Sequence, residues 1–237
     1  MNFNFPEGEI LLFDKDYGLS SFSVVNRARG IIKKSLKLKK IKVGHAGTLD
    51  PLATGLLVVC TGKLTKTIVN IQDAEKEYTG TFTIGATTPS YDLESDVNET
   101  FPVEHITEEL VHSTAQTFVG EHDQMPPIFS AKQVDGKRAY ELARAGEEVK
   151  LKPKRITIKE FEIQSVTQAE GVMEIDFRVA CSKGTYIRSL AYDYGKALNS
   201  GGYLSALRRT KIGKYSVNDA ITIDQFQFLI MGSENEA

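Results

Sequence analysis

One aspartate in this chain stands in a setting suited to a fixed carboxylate. Asp50 lies within G-H-A-G-T-L-D-P-L-A-T-G, residues 44–55. Gly44, Gly47 and Gly55 permit tight backbone turns, and Pro51 biases Asp50 toward extended dihedrals. A carboxylate restrained in this way can serve as a nucleophile, as a base or as a turn cap. Carboxylic side chains in general are ionised at neutral pH, which suits any of these roles. His45, in the same loop, is open to three readings: a structural hydrogen-bonder, a metal ligand or a ring that contacts a base. Four histidines without HxxxH or Cys–His spacing argue against metal chemistry. The loop also lacks GxxxxGK(S/T) and GxGxxG, so a nucleotide phosphate cradle is excluded.

The elements around this loop follow from hydrophobic period. Residues 9–13 read as a strand, and Ser21 or Ser23 is expected to cap a helix carrying Val24, Val25, Ala28, Ile31 and Ile32 on one face. That spacing turns the basic side chains to the other face. The loop then enters the apolar run LLVVC, a buried strand, and TGKLTKTIVNI is helix-compatible. Tyr78, Gly80, Phe82 and Ile84 alternate as a half-buried strand does. Residues 87–104 are polar, acidic and broken by Pro89 and Pro102, which predicts a surface excursion.

Thr107 before Glu108 and Glu109 starts a helix that should end near Gly120. Residues 125–146 predict extended chain at the paired prolines, a turn at Asp-Gly and a short helix. Stretches 155–166 and 172–181 read as strands flanking a turn. Ile187, Leu190, Ala191, Tyr194 and Leu198 then mark a helical stripe, which places Arg188 early in a helix and off its apolar face. With no fixed-period repeat and no linker, the fold class predicted is mixed α/β (α+β), with a central, largely antiparallel sheet and flanking helices.

Composition bounds the function. The 237 residues are 41% hydrophobic, enough for a substantial core as one large domain or two merged lobes. No apolar run approaches a bilayer span and no leader pattern is present, so a cytoplasmic protein with no membrane partner is expected. Cys60 and Cys181 sit in apolar runs and read as buried thiols. Net charge is only −2, but it is unevenly spread. Residues 27–42 hold eight basic residues and no acid, residues 183–214 hold seven against Asp193, and residues 73–123 hold twelve acids against Lys76. Basic segments of this kind suit phosphate contact, or a merely solvated face.

Three blocks carry a resemblance: LLFDKDYGLSS at 11–21, VGHAGTLDPLATGLLVVCTG at 43–62 and VACSKGTYIRSLAYDYG at 179–195. KEYTGTFTIGATTPSYD at 76–92 and MPPIFSAKQVDGKRAYELARAG at 125–146 lie between them in order. In these blocks the chain resembles the bacterial TruB family of tRNA pseudouridine synthases across nearly the whole catalytic domain. The resemblance implies conversion of uridine 55 in the tRNA T loop to its C5-glycoside isomer, without a metal, nucleotide or redox cofactor. It implies base flipping from the T-arm stem-loop, a monomer, and an insertion at 125–150 that closes over RNA.

The same resemblance assigns site residues. Asp50 matches the catalytic aspartate and Arg188 an active-site arginine, whose pairing with Asp50 would favour the carboxylate form. Tyr78 matches a tyrosine that stacks on uracil and is a candidate in C5 deprotonation. His45 matches a histidine that positions flipped RNA. Lys15 would organise the floor of the site or contact phosphate, and Tyr186 lies beside Arg188 in the GTYIR block. Ala46 departs from the threonine common in relatives. After the family-like block ending at Thr222, only residues 223–237 follow, so the short form without a complete C-terminal PUA domain is expected. A glycosidase is the rival enzyme class, but no equally placed second carboxylate is evident. A non-catalytic tRNA-binding or folding module is the other alternative.

Overall fold

The computed structural model describes residues 3–128, 133–134, 137–138 and 151–232. In chain order the principal elements are β1 (Ile10–Lys15), α1 (Ser21–Ser35), β2 (Val43–His45), β3 (Thr54–Thr61), α2 (Ile68–Asp73), β4 (Lys76–Ile84), α3 (Glu108–Thr117) and β5 (Gly120–Gln124). They continue as β6 (Lys154–Ala169), β7 (Val172–Cys181), α4 (Ile187–Ala197), β8 (Gly202–Ile212), β9 (Tyr215–Ser216) and α5 (Ile223–Met231). The fold is mixed α/β, with a nine-stranded, mostly antiparallel sheet and flanking helices. Two compact units divide the chain. One runs from the N-terminus to Tyr78 and resumes at Leu207; the other is Thr79–Ala206.

In the first unit, β3 is the organising strand because it is apolar along nearly its whole length and buried from Gly55 to Thr61. It pairs antiparallel with β1, from Ile10 opposite Cys60 to Lys15 opposite Gly55, and with β2, where His45 faces Val59. The end of β8 joins β3 in parallel, placing Arg209 against Gly55. Helix α1 covers this sheet with the predicted stripe of Val24, Val25, Ala28, Ile31 and Ile32. Burying each of the larger aliphatics contributes roughly 1.5–3 kcal/mol relative to exposure. The cap is Ser20, one residue before the serines expected, because its extended backbone lets Oγ accept from the Ser23 amide. Residues 223–231 form α5, capped reciprocally by Thr222 and Gln225, and Phe226 packs edge-on against Phe13 in the same core.

The second unit is built on the β6–β7 hairpin, with β5 on the other side of β6. Its core is aromatic: Phe82 stacks on Phe177 at 4.0 Å between centroids, and Phe161 packs edge-on against both. Tyr194 of α4 joins this cluster and its hydroxyl donates to the Val111 carbonyl at 2.6 Å, so a phenol is buried with its polar end satisfied. Cys60 and Cys181 are buried thiols outside any disulfide, one in each unit, and burial pushes the Cys60 thiol pKa up. No helix among the described residues is long and apolar enough to cross a membrane. The insertion expected at 125–150 falls mostly outside the described residues.

Candidate functional site

The first unit gathers Asp50, His45, Lys15 and Tyr78 around the loop between β2 and β3. The loop turns through Gly47 at φ +103° and Gly55 at φ +97°, conformations that favour glycine. Asp50 is half-buried and its own carbonyl accepts from the Ala53 amide at 3.1 Å, closing a tight turn at Pro51. Lys15 is 1% exposed. Its ammonium donates to the carbonyls of Leu19, Asp16 and Pro51 at 2.7, 3.0 and 3.3 Å, so all three of its protons serve the backbone beneath the loop. Burial lowers its pKa to about 8, with the charges of Asp16 and Asp50 opposing that fall and Arg209 adding to it.

His45 ends β2. Burial lowers its pKa below the ordinary value; a backbone hydrogen bond at Gly47 works against this and the charge of Arg209 works with it. The ring is therefore neutral at pH 7. Its Nδ1 is buried without a hydrogen-bond partner among the described residues. Tyr78, on β4, is 9% exposed, and its hydroxyl takes a hydrogen bond from Arg209.

Arg188 and Tyr186 belong to the second unit. Arg188 stands in the first turn of α4 and is only 6% exposed, contrary to the expectation that it lies off the apolar face. The start of α4 is buried on all sides, Ile187 through Ala191, so no solvent face exists there. Its guanidinium reaches the Asp92 carboxylate at 3.5 Å and the Ser90 carbonyl at 3.4 Å. Tyr186 caps the helix, with its amide donating to Gln124 Oε1 at 2.8 Å while its carbonyl accepts from Gln124 Nε2 at 3.0 Å. Gln124 thus pins the GTYIR segment to β5.

Two buried residues escaped sequence reasoning. Asp92, 5% exposed, lies in the segment expected to be a surface excursion. That segment begins buried because its hydroxyls are satisfied internally: Thr88 and Ser90 both donate to the Asp92 carbonyl, and Asp92 Oδ1 accepts from the Glu94 amide. Tyr91 adopts φ +62° and stacks on Tyr192 of α4 at 4.3 Å. Arg209, one of the basic residues at 183–214 expected to contact phosphate or solvent, is 1% exposed and points inward. A signal for Asp92 existed in the polar run TTPSYD, where short hydroxyl side chains can satisfy a buried turn.

The basic segment 27–42 is mostly exposed on α1 and the chain beyond it. There Lys40 and Lys42, with Lys63 and Lys66, line an open hollow of about 530 Å³. Among the described residues no group of three or more His, Cys, Asp or Glu side chains is placed to hold a metal ion.

Comparison with known proteins bears on this geometry. Residues 33–187 match the model of the TruB family pseudouridylate synthase N-terminal domain, and residues 188–236 match that of the tRNA pseudouridylate synthase B C-terminal domain. A tRNA pseudouridine synthase B of Flavobacterium johnsoniae is 59% identical over 222 residues, covering 93% of this chain and 95% of the relative. Its counterpart in Bacteroides thetaiotaomicron is 51% identical over 233 residues, covering 98% and 97%. Among solved structures, an H/ACA RNP bound to a substrate RNA containing 2'-deoxyuridine aligns with a TM-score of 0.68 at 25% identity. It covers 98% of this chain, which spans just over half, 56%, of that one.

Proposed function

The chain belongs to the TruB family of pseudouridylate synthases, and we propose from that premise that its target is uridine 55 in the tRNA T loop, with Asp50 as the catalytic carboxylate. It is an RNA-binding enzyme that isomerises uridine to pseudouridine in tRNA. The reaction breaks N1–C1′, retains and turns the uracil, forms C5–C1′ and releases the C5 proton. Positive character at the sugar calls for an anion held at one place. Asp50 meets that need either by attacking C1′ or by removing a C2′ proton to give a glycal.

The observation that carries this reading is the Asp50 loop: a half-buried carboxylate on a backbone whose turn is fixed from below by Lys15. Tyr78 supplies a ring for stacking on uracil, and its hydroxyl is the proposed participant at C5. Neutral His45 contacts RNA through the nitrogen that has no partner among the described residues. Arg188 meets a substrate oxygen, with the Asp92 carboxylate 3.5 Å from its Nη1. The lysines around the hollow at Lys40 attract backbone phosphate, which makes binding weaken as salt rises. The reaction takes place in the cytoplasm, where Cys60 and Cys181 stay reduced.

The specificity is tested by position-resolved conversion in full tRNA, an isolated T-arm and a T-arm with a scrambled loop. The first two are expected to react at the same uridine and the third to fail. Efficient reaction of the scrambled loop, or reaction only at another position, would defeat the T-loop assignment and leave the synthase chemistry standing.

A further inference from the structure

Two buried cations flank one glycine. In the sheet Gly55 lies between Lys15 of β1 and Arg209 of β8, in register with both. Arg209 approaches so closely that a Cβ on Gly55 would sit 2.3 Å from the Arg209 carbonyl oxygen. A Cβ on Gly47 would likewise meet the Arg209 guanidinium at 3.5 Å. Both glycines that turn the Asp50 loop therefore lie against this one residue.

The guanidinium spends its donors on that loop. Nη2 donates to the Gly47 carbonyl at 3.0 Å and Nη1 to the Thr48 carbonyl at 3.4 Å, ahead of Asp50. Nε donates to the Leu56 carbonyl at 2.8 Å, beyond it. A further hydrogen bond goes to the Tyr78 hydroxyl. One rigid plane thus holds both ends of the loop and the phenol of the neighbouring strand. Arg208, adjacent in sequence, makes a bidentate pair with Asp14 nearer the surface. Chain stability alone is a poor reason to bury a cation among carbonyls, since desolvation costs several kcal/mol per ion and an apolar residue would pack there without it.

We infer that Arg209 is a positioning residue for the isomerisation, clamping both ends of the Asp50 loop and the Tyr78 hydroxyl into one frame. The inference rests on the proposed roles of Asp50 and Tyr78. It acts through geometry: an active group displaced by about 1 Å can lose on the order of 10²-fold in rate. Lys retains the charge but lacks the planar fork, so it cannot hold the three carbonyls and the phenol together.

The test is single-turnover conversion of unmodified tRNA by wild type, R209K, Y78F and the double variant, with tRNA affinity measured beside it. At a temperature where circular dichroism shows R209K folded, its affinity should stay within about three-fold while its rate falls on the order of 10²-fold. The combined loss in R209K with Y78F should be smaller than the product of the separate losses, because both remove the same hydrogen bond. A folded R209K that lowers only the melting temperature and reacts within two-fold of wild type would overturn the inference. Inactive wild type would instead refute the proposed function. Should R209K not fold, side-chain NMR of wild type decides: resolved, slowly rotating Nη protons on Arg209 are expected, and a freely rotating guanidinium would contradict the clamp.

Discussion

The two compact units each bury an arginine, and they use it differently. In the first, Arg209 and Lys15 donate to backbone carbonyls on either side of Asp50, at Gly47, Thr48, Pro51 and Leu56. The loop is held while the carboxylate that it carries stays half-exposed. In the second, Arg188 faces a carboxylate, Asp92, that is itself buried and tied into its own turn. Cations that grip carbonyls fix the chain on either side of its acid. A cation that grips a carboxylate fixes itself.

This contrast predicts that chemistry is lost hardest in the first unit. D50N should reduce single-turnover conversion on the order of 10³-fold or more, with fold and tRNA affinity retained. Near wild-type conversion would break the comparison at its base. Y78F keeps the ring and removes the hydroxyl; rate should fall on the order of 10²-fold, more than binding does. R188K keeps charge without the fork and should lose about ten-fold in rate; full activity would show that its geometry matters little.

Asp92→Ala sharpens the difference by removing the carboxylate that lies 3.5 Å from the buried Arg188 guanidinium. Denaturant unfolding should show a loss of about 3–5 kcal/mol, the cost of breaking a buried pair from one side. A change below about 1 kcal/mol would mean that the 3.5 Å contact is incidental.

The smallest effect is a pH dependence. Lys15 releases its proton near pH 8 in the folded chain and at its ordinary 10.5 in the unfolded one. Between those values the unfolded chain binds more protons, so on this group alone raising pH favours the folded form. The stability of wild type relative to K15M should be flat below pH 8 and move in favour of wild type up to pH 10.5. Equal differences at pH 7 and 9.5 would contradict the burial of that ammonium.

Much of this was legible in the chain. The α1 stripe, the β6–β7 hairpin and the Thr107 cap follow from period and capping, which are local properties. The Asp50 loop announces itself by glycine and proline. Arg209 did not, because strand alternation breaks in β8: Gly202 and Leu204 are buried, then Arg209 and Ile212, with opposite parity between the first pair and Arg209. A reader counting by twos places the arginine outside. Arg188 hid for another reason, since a helix start enclosed on every side has no polar face to read. Asp92 lay in acidic chain whose burial depends on the hydroxyls of Thr88 and Ser90.

The central claim, that Asp50 drives isomerisation of uridine within intact tRNA, is tested most directly with a transcript carrying tritium at uridine C5. Wild type should release one tritium per tRNA with no change in RNA mass beyond that exchange, and D50N should release none on the same timescale. Free uracil among the products, or release by D50N at the wild-type rate, would contradict the account.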